Sequence, residues 1–138
     1  MPPSRAIRQR ANVLAAIQDE LRSGEEVLAV LPFASTPRRP KGPEGKVRQG
    51  VYQSGRRYRP LVATNRRLLV LHAYKSPYPK GLLAAFPVDG VQVLDVARGR
   101  FGTQRLTLDL PGEGVVPFEL GRFDLVELDE FEHALARR

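Results

Sequence analysis

The sequence predicts a mainly β domain with a helix near each end. Three observations carry that prediction. Short apolar runs recur between residues 27 and 120, separated by clusters of Gly, Pro, Asn and Ser. Residues 105–110, Arg-Leu-Thr-Leu-Asp-Leu, alternate strictly, so one face is buried and the other meets water. Near both ends the apolar residues instead recur every three or four positions, the spacing of a helix stripe. A chain of 138 residues, 42% hydrophobic and 27% charged, has room for one core and the composition of a globular domain.

Ser4 caps a helix that runs to about Leu21, with Ile7, Ala11, Leu14, Ile17 and Leu21 on one stripe. Arg5, Gln9, Asn12 and Asp19 occupy the other face, with Arg8 beside them. The stripe is thin, lacks aromatics and is partly alanine, so it docks on the protein's own core or on another copy rather than on a membrane. Ser23-Gly24 stops the helix. Residues 1–23 therefore form an N-terminal amphipathic helix, and residues 24–138 form the domain proper. A first strand covers residues 27–34, and Pro32 within it requires an edge or a bulge, having no N–H to give a ladder.

Residues 35–57 hold Pro37, Pro40, Pro43 and four glycines with almost no core material, and read as a long basic loop. Two core strands follow at 61–63 and 68–71, joined by the turn Thr64-Asn65-Arg66-Arg67. A fourth strand, 82–86, ends at Pro87, and a fifth spans 91–96. The sixth is the alternating run 105–110, and the seventh points Val116, Phe118 and Leu120 inward. In the last helix Asp124 takes the N-cap with Glu127 three residues on, a capping-box spacing. Phe123 and Leu128 are spaced as a hydrophobic staple, and Leu128, Phe131 and Leu135 make the buried stripe.

The net charge is +7. A surplus of this size suits a polyanionic partner, although arginine-rich coding raises it without any ligand. Its placement is more telling. Arg38, Arg39, Lys41, Lys46, Arg48, Arg56, Arg57, Arg59, Arg66 and Arg67 are accompanied by one acid, Glu44. Between residues 109 and 132 the sign reverses: Asp109, Glu113, Glu119, Asp124, Glu127, Asp129, Glu130 and Glu132 face only Arg122. Coding bias does not predict such segregation, which gives the domain a basic and an acidic side.

Catalytic chemistry has little to work with. There is no cysteine, which excludes disulfides, thiolate metal sites and a cysteine nucleophile. His72 and His133 have no metal partner at ligand spacing, and His72 reads as a structural or surface histidine. No serine has the surroundings of a nucleophile. Residues 42–47 lack the spacing and the Ser or Thr of a phosphate loop. The expectation is no enzyme, no cofactor and no metal. The first residues have no apolar core of signal-peptide length, and no run approaches the roughly 20 apolar residues of a membrane helix. A cytoplasmic location is expected, with the cytoplasmic membrane face as the alternative.

The order of elements, seven short strands closed by one amphipathic helix, comes with three local features. Gly24-Glu25-Glu26 precedes the first strand, Thr64-Asn65-Arg66-Arg67-Leu68-Leu69 forms the second hairpin, and Phe86-Pro87-Val88-Asp89-Gly90-Val91 links strands four and five. Together, over residues 24–135, these resemble the pleckstrin-homology-like superfamily in its bacterial and GRAM-like branch. The resemblance implies a seven-stranded, bent antiparallel barrel capped by the C-terminal helix, with the N-terminal helix as an addition. It also implies a binding module. In lipid-binding members, basic residues of the first hairpin loop and neighbouring strands hold phosphorylated head groups. The positions here that fall in that region are Lys46, Arg48, Arg56, Arg57 and Arg59. Arg67 matches the hairpin motif itself and reads as structural.

Three functions follow as expectations. The first is a module for protein interaction or self-assembly, with a protein partner or a homo-oligomer. The second is peripheral attachment to anionic lipid head groups through residues 38–59, each basic residue contributing about 1 kcal/mol near such a surface. The third is nucleic-acid binding, with Tyr52, Tyr58 and Phe101 available for stacking; few aromatics and no recognised reading motif place it last.

Overall fold

A computed structural model describes residues 4–36, 57–73, 78–98 and 104–136. In chain order these hold α1 (Arg5–Ile17), β1 (Val27–Leu31), β2 (Ser35–Thr36), β3 (Arg57–Tyr58), β4 (Leu61–Thr64), β5 (Arg67–Ala73), β6 (Pro79–Pro87), β7 (Gln92–Arg98), β8 (Gln104–Leu110), β9 (Gly114–Leu120) and α2 (Leu128–Ala136). Short 3-10 turns cover Gln18–Glu20, Val88–Gly90 and Arg122–Val126. The strands make two antiparallel sheets, one in the order β1-β4-β5-β6 and the other β3-β2-β9-β8-β7. The expected class, mainly β with a helix near each end, is therefore present. A closed barrel is not: among the described residues no ladder joins β6 to β7.

Seven strands were expected, and nine segments are found because the first two passes of the chain run beyond the expected strands 27–34 and 61–63, into the ends of the expected loop, and each pass is interrupted. The first breaks at Pro32-Phe33, which form a turn between β1 and β2. Pro32 has no N–H, and the Phe33 N–H leaves the ladder to donate to Asp124 Oδ1 at 2.7 Å. The second breaks at Arg59-Pro60. Here pairing survives through single backbone bonds, Arg59 N to Ala34 O at 2.8 Å and Leu71 N to Pro60 O at 2.9 Å. Both breaks hand the chain from one sheet to the other. The ends of the expected 35–57 loop are accordingly strand: Ser35 pairs with Tyr58 and Thr36 with Arg57.

Strands β1, β4 and β5 of the first sheet are buried on both faces over most of their length, which explains their uninterrupted apolar runs. Ala29, Leu31, Leu61, Ala63, Leu68 and Val70 face the main core. There they meet Leu106, Leu108, Val116 and Phe118 of the second sheet, and Leu128, Phe131 and Leu135 of α2. Val30, Val62, Leu69 and Leu71 alternate with them and face outward, onto Val13 and Ile17 of α1. Fully burying an aliphatic side chain of this kind stabilises by about 1.5–3 kcal/mol. The N-terminal helix therefore docks on the protein's own sheet.

The buried face of α1 keeps Leu14, Ile17 and Leu21 of the expected stripe but not Ile7 and Ala11. Gln9, Val13 and Ile17 face the sheet, with Leu14, Ala16 and Leu21 packed nearby. Ile7 is 62% exposed and Ala11 is also exposed. Ile7 and Ala11 fit helical spacing, but the packed face is centred on Val13, and Gln9, expected on the polar face, is buried within it. Ser4 does cap the helix, its Oγ accepting from Ile7 N at 3.2 Å.

The C-terminal helix also starts later than expected. Residues 122–126 are a 3-10 turn with Gly121 at its N-cap. Asp124 is the third residue of that turn, and its Oδ2 accepts from Gly121 N at 2.8 Å. The Glu127 side chain does not cap; it reaches Arg10 of α1 and the N–H of Val30 in β1.

Candidate functional site

Three places in the fold gather polar or accessible chemistry. The first is the β4-β5 hairpin, which proves to be a clamp. Thr64 Oγ accepts from the backbone N–H groups of Arg66 and Arg67 at 3.1 and 2.8 Å, closing the turn, and donates to Glu25 Oε2 at 2.7 Å. Arg67 grips Glu25 with two nitrogens, Nη2 to Oε1 at 2.7 Å and Nε to Oε2 at 2.9 Å, and also donates to Glu20 O at 2.9 Å. A further N–H, from Arg22, reaches Glu25 Oε1 at 3.0 Å. Asn65 ties the turn to the same segment, accepting from Glu26 N at 2.8 Å and donating to Gly24 O at 3.1 Å.

The Arg67 hydrogen bonds are the chief reason that the Glu25 carboxyl is held down at about 2; burial opposes them and the Arg22 N–H and Thr64 hydroxyl add to them. Arg67 is raised in turn by Glu25. The Glu25 carboxylate, the Thr64 hydroxyl and the Asn65 amide are each satisfied by another part of the chain. The expected structural role of Arg67 follows from this geometry.

The second place is a cationic end, where the outer ends of β3, β5 and β6 meet. Arg59 is fully buried. Its Nη1 donates to Tyr58 O and Ala73 O, each at 3.0 Å. Burial first, and the Arg57 charge second, lower its pKa to about 10. His72, paired with Gly81 across β5 and β6, is half-buried. Burial lowers its pKa, and the charges of Arg59 and Lys80 lower it further. Tyr78 lies at the same end, 62% exposed.

Of the five residues that sequence singled out for an anionic ligand, Arg57 is half-buried in β3 and Arg59 lies inside. Lys46, Arg48 and Arg56 fall outside the described residues. The surface placement expected for Arg59 is thus corrected. Its guanidinium is drawn inward because the corner between β3 and β4 leaves the carbonyls of Tyr58 and Ala73 inside. Lys80 and His72 were missed as neighbours. No local pattern links them to Arg57; only the β5-β6 register brings them there.

The third place surrounds α2. On one side lies a groove of about 520 Å³ between α2 and β7, lined by Gln92, Val93, Glu132, Leu135 and Ala136. Strand β7 pairs with β8 alone, so its other edge is open among the described residues. The ladder slips between Val93 and Asp95, leaving Leu94 as an extra residue that is 49% exposed. Elsewhere around α2 are two adjoining hollows of about 440 and 670 Å³ that share Leu28 and Ala134. Sequence gave no sign of either groove, since each joins residues far apart in the chain.

Beneath α2 lies Asp124, fully buried and holding the N–H groups of Phe33 and Gly121. Burial raises its pKa to about 6, against the pull of those two donors. It fixes a corner of the fold and faces no cavity described above. Among the described residues no group of His, Asp and Glu could hold a metal ion, and no helix is long and apolar enough to cross a membrane.

No protein-family model matches the chain, and no curated protein matches it.

Proposed function

We propose that this chain is a non-catalytic binding module of pleckstrin-homology-like fold that engages a protein partner, or a second copy of itself, along β7 and α2. The observation that carries this reading is the open edge of β7 beside a groove. An unpaired edge offers a row of N–H and C=O groups to an incoming extended segment, while the groove receives alternate side chains. The half-exposed Leu94 on that strand adds apolar surface to the same region. The fold part of the proposal draws support from the count of chain passes. With β1 and β2 taken as one pass and β3 and β4 as another, the nine segments reduce to seven, followed by a helix packed between the sheets.

The test is selection of peptides from a random library on the immobilised protein, followed by NMR mapping. Selected peptides should shift the amides of residues 92–97 and should lose affinity for a Leu94→Asp variant, which puts a charge in place of the half-exposed apolar side chain on that strand. Light scattering over a range of concentrations tests the second-copy form. Peptides that map elsewhere, together with a monomer at every concentration, would refute the proposal.

A second reading has its own observation, the convergence of half-buried Arg57 and exposed Lys80 on the end of the fold that holds the buried Arg59. A concentration of positive charge suits an anionic lipid surface. Sedimentation with anionic and neutral vesicles, at two salt concentrations, tests it. Equal binding to both vesicle types would remove that reading, and a matching titration with oligonucleotides separates it from nucleic-acid binding.

A further inference from the structure

We infer that the groove over Leu28, on a different side of α2 from β7, takes a short protein segment in which one apolar side chain is flanked by lysines or arginines. The two hollows that share Leu28 and Ala134 run into each other, from the first turns of α2 to the β4-β5 hairpin. Leu28 and Val88 are only partly buried, although both pack against the main core. With Ala134 they make an apolar floor that the chain itself leaves open. The small alanine at 134 gives the floor its depth, since α2 offers no larger side chain there.

The rim has the opposite sign from the protein as a whole. Asp129 and Glu130 stand on the α2 side, and Glu26 and Asp89 on the other. None of these four is in a salt bridge among the described residues. Against them are Arg66, at the hairpin end, and His133. Four carboxylates and one arginine leave a local excess of three negative charges, on a chain whose net charge is +7.

An acidic rim around an apolar floor selects a ligand that is apolar in the middle and basic at its flanks. A purely apolar ligand would leave the carboxylates facing it without partners, and an acidic one would be repelled. The excess is greatest at the α2 end, away from Arg66, so the basic flank lies against Asp129 and Glu130. This groove shares no residue with the β7 groove and does not depend on it.

The experiment uses a labelled seven-residue peptide, a central leucine between lysines, titrated into the full chain by fluorescence anisotropy and by NMR. Saturable binding should shift the amides of Leu28, Val88 and Ala134. Exchange of the leucine for serine should weaken it about tenfold. The Asp129→Asn, Glu130→Gln double variant should weaken it about fivefold, the size of two partly exposed ion pairs. Both sites are exposed, and thermal melting confirms that the variant folds. A peptide with glutamates in place of the lysines should not bind. Equal affinity for the leucine and serine peptides, or for wild type and the double variant, overturns the inference. So does absence of binding. Concentration-dependent shifts of the same amides without peptide would give the groove to a second copy. Shifts confined to residues 92–97 would leave the β7 proposal standing and defeat this one.

Discussion

Replacing Glu25 with Gln should be among the most damaging conservative changes in the molecule. The Glu25 side chain is fully buried and carries two bonds from Arg67, one from Thr64 and one from Arg22. Its pKa falls from 4.5 to about 2 on folding. A depressed folded pKa means that the carboxylate stabilises the fold above the unfolded value and that the contribution fades as pH falls from about 4.5 toward 2. At pH 7 the shift corresponds to about 3 kcal/mol. Glu25→Gln keeps the shape but leaves Arg67, only 11% exposed, without its counter-charge. The loss expected at pH 7 is therefore about 3 kcal/mol, or roughly 10 °C in Tm for a domain of this size. Urea denaturation at pH 7 and at pH 3 measures it. The gap between wild type and variant should shrink markedly at the lower pH. A loss under about 1 kcal/mol, or a gap that does not change with pH, would show that the clamp is not electrostatic.

Asp124 should act with the opposite sign. Its raised pKa, about 6, lets the folded state hold a proton more tightly than the unfolded state, so stability rises as pH falls from 7 to 5. The gain should be about 1 kcal/mol in urea midpoints converted at fixed slope, and it should vanish in Asp124→Asn. On α1, Ile17→Ala should cost about 3 kcal/mol because Ile17 is fully buried against the first sheet, whereas Ile7→Ser should change stability by less than about 0.5 kcal/mol. Chemical denaturation of the two variants side by side decides whether the helix faces the sheet as described.

The hairpin at residues 61–73 was legible because its cause is local. Leu68 to Leu71 form an unbroken apolar run, Thr64 and Asn65 are turn-formers, and Arg67 sits where the turn ends. Strand β8 was legible for the same reason, alternation being visible in six residues. The double burial of the first sheet was not. Val62 and Leu69 look like any strand residues, and only the packing of Val13 and Ile17 reveals a second core behind them. Nor was Arg59 legible as a buried residue, because the carbonyls that receive it, at positions 58 and 73, meet only when β3 and β5 are placed together.

The sequence by itself determined the period of each segment, where it must turn, and the split of charge between a basic middle and an acidic end. Those are properties of neighbours along the chain. Tertiary structure alone decided which partner each charge received. It set Glu25 under Arg67, Glu127 against Arg10, and left Asp129 and Glu130 at an open groove over Leu28. The physical reason is that charge and apolar surface act through space. A carboxylate is a clamp or an open rim according to what folds against it.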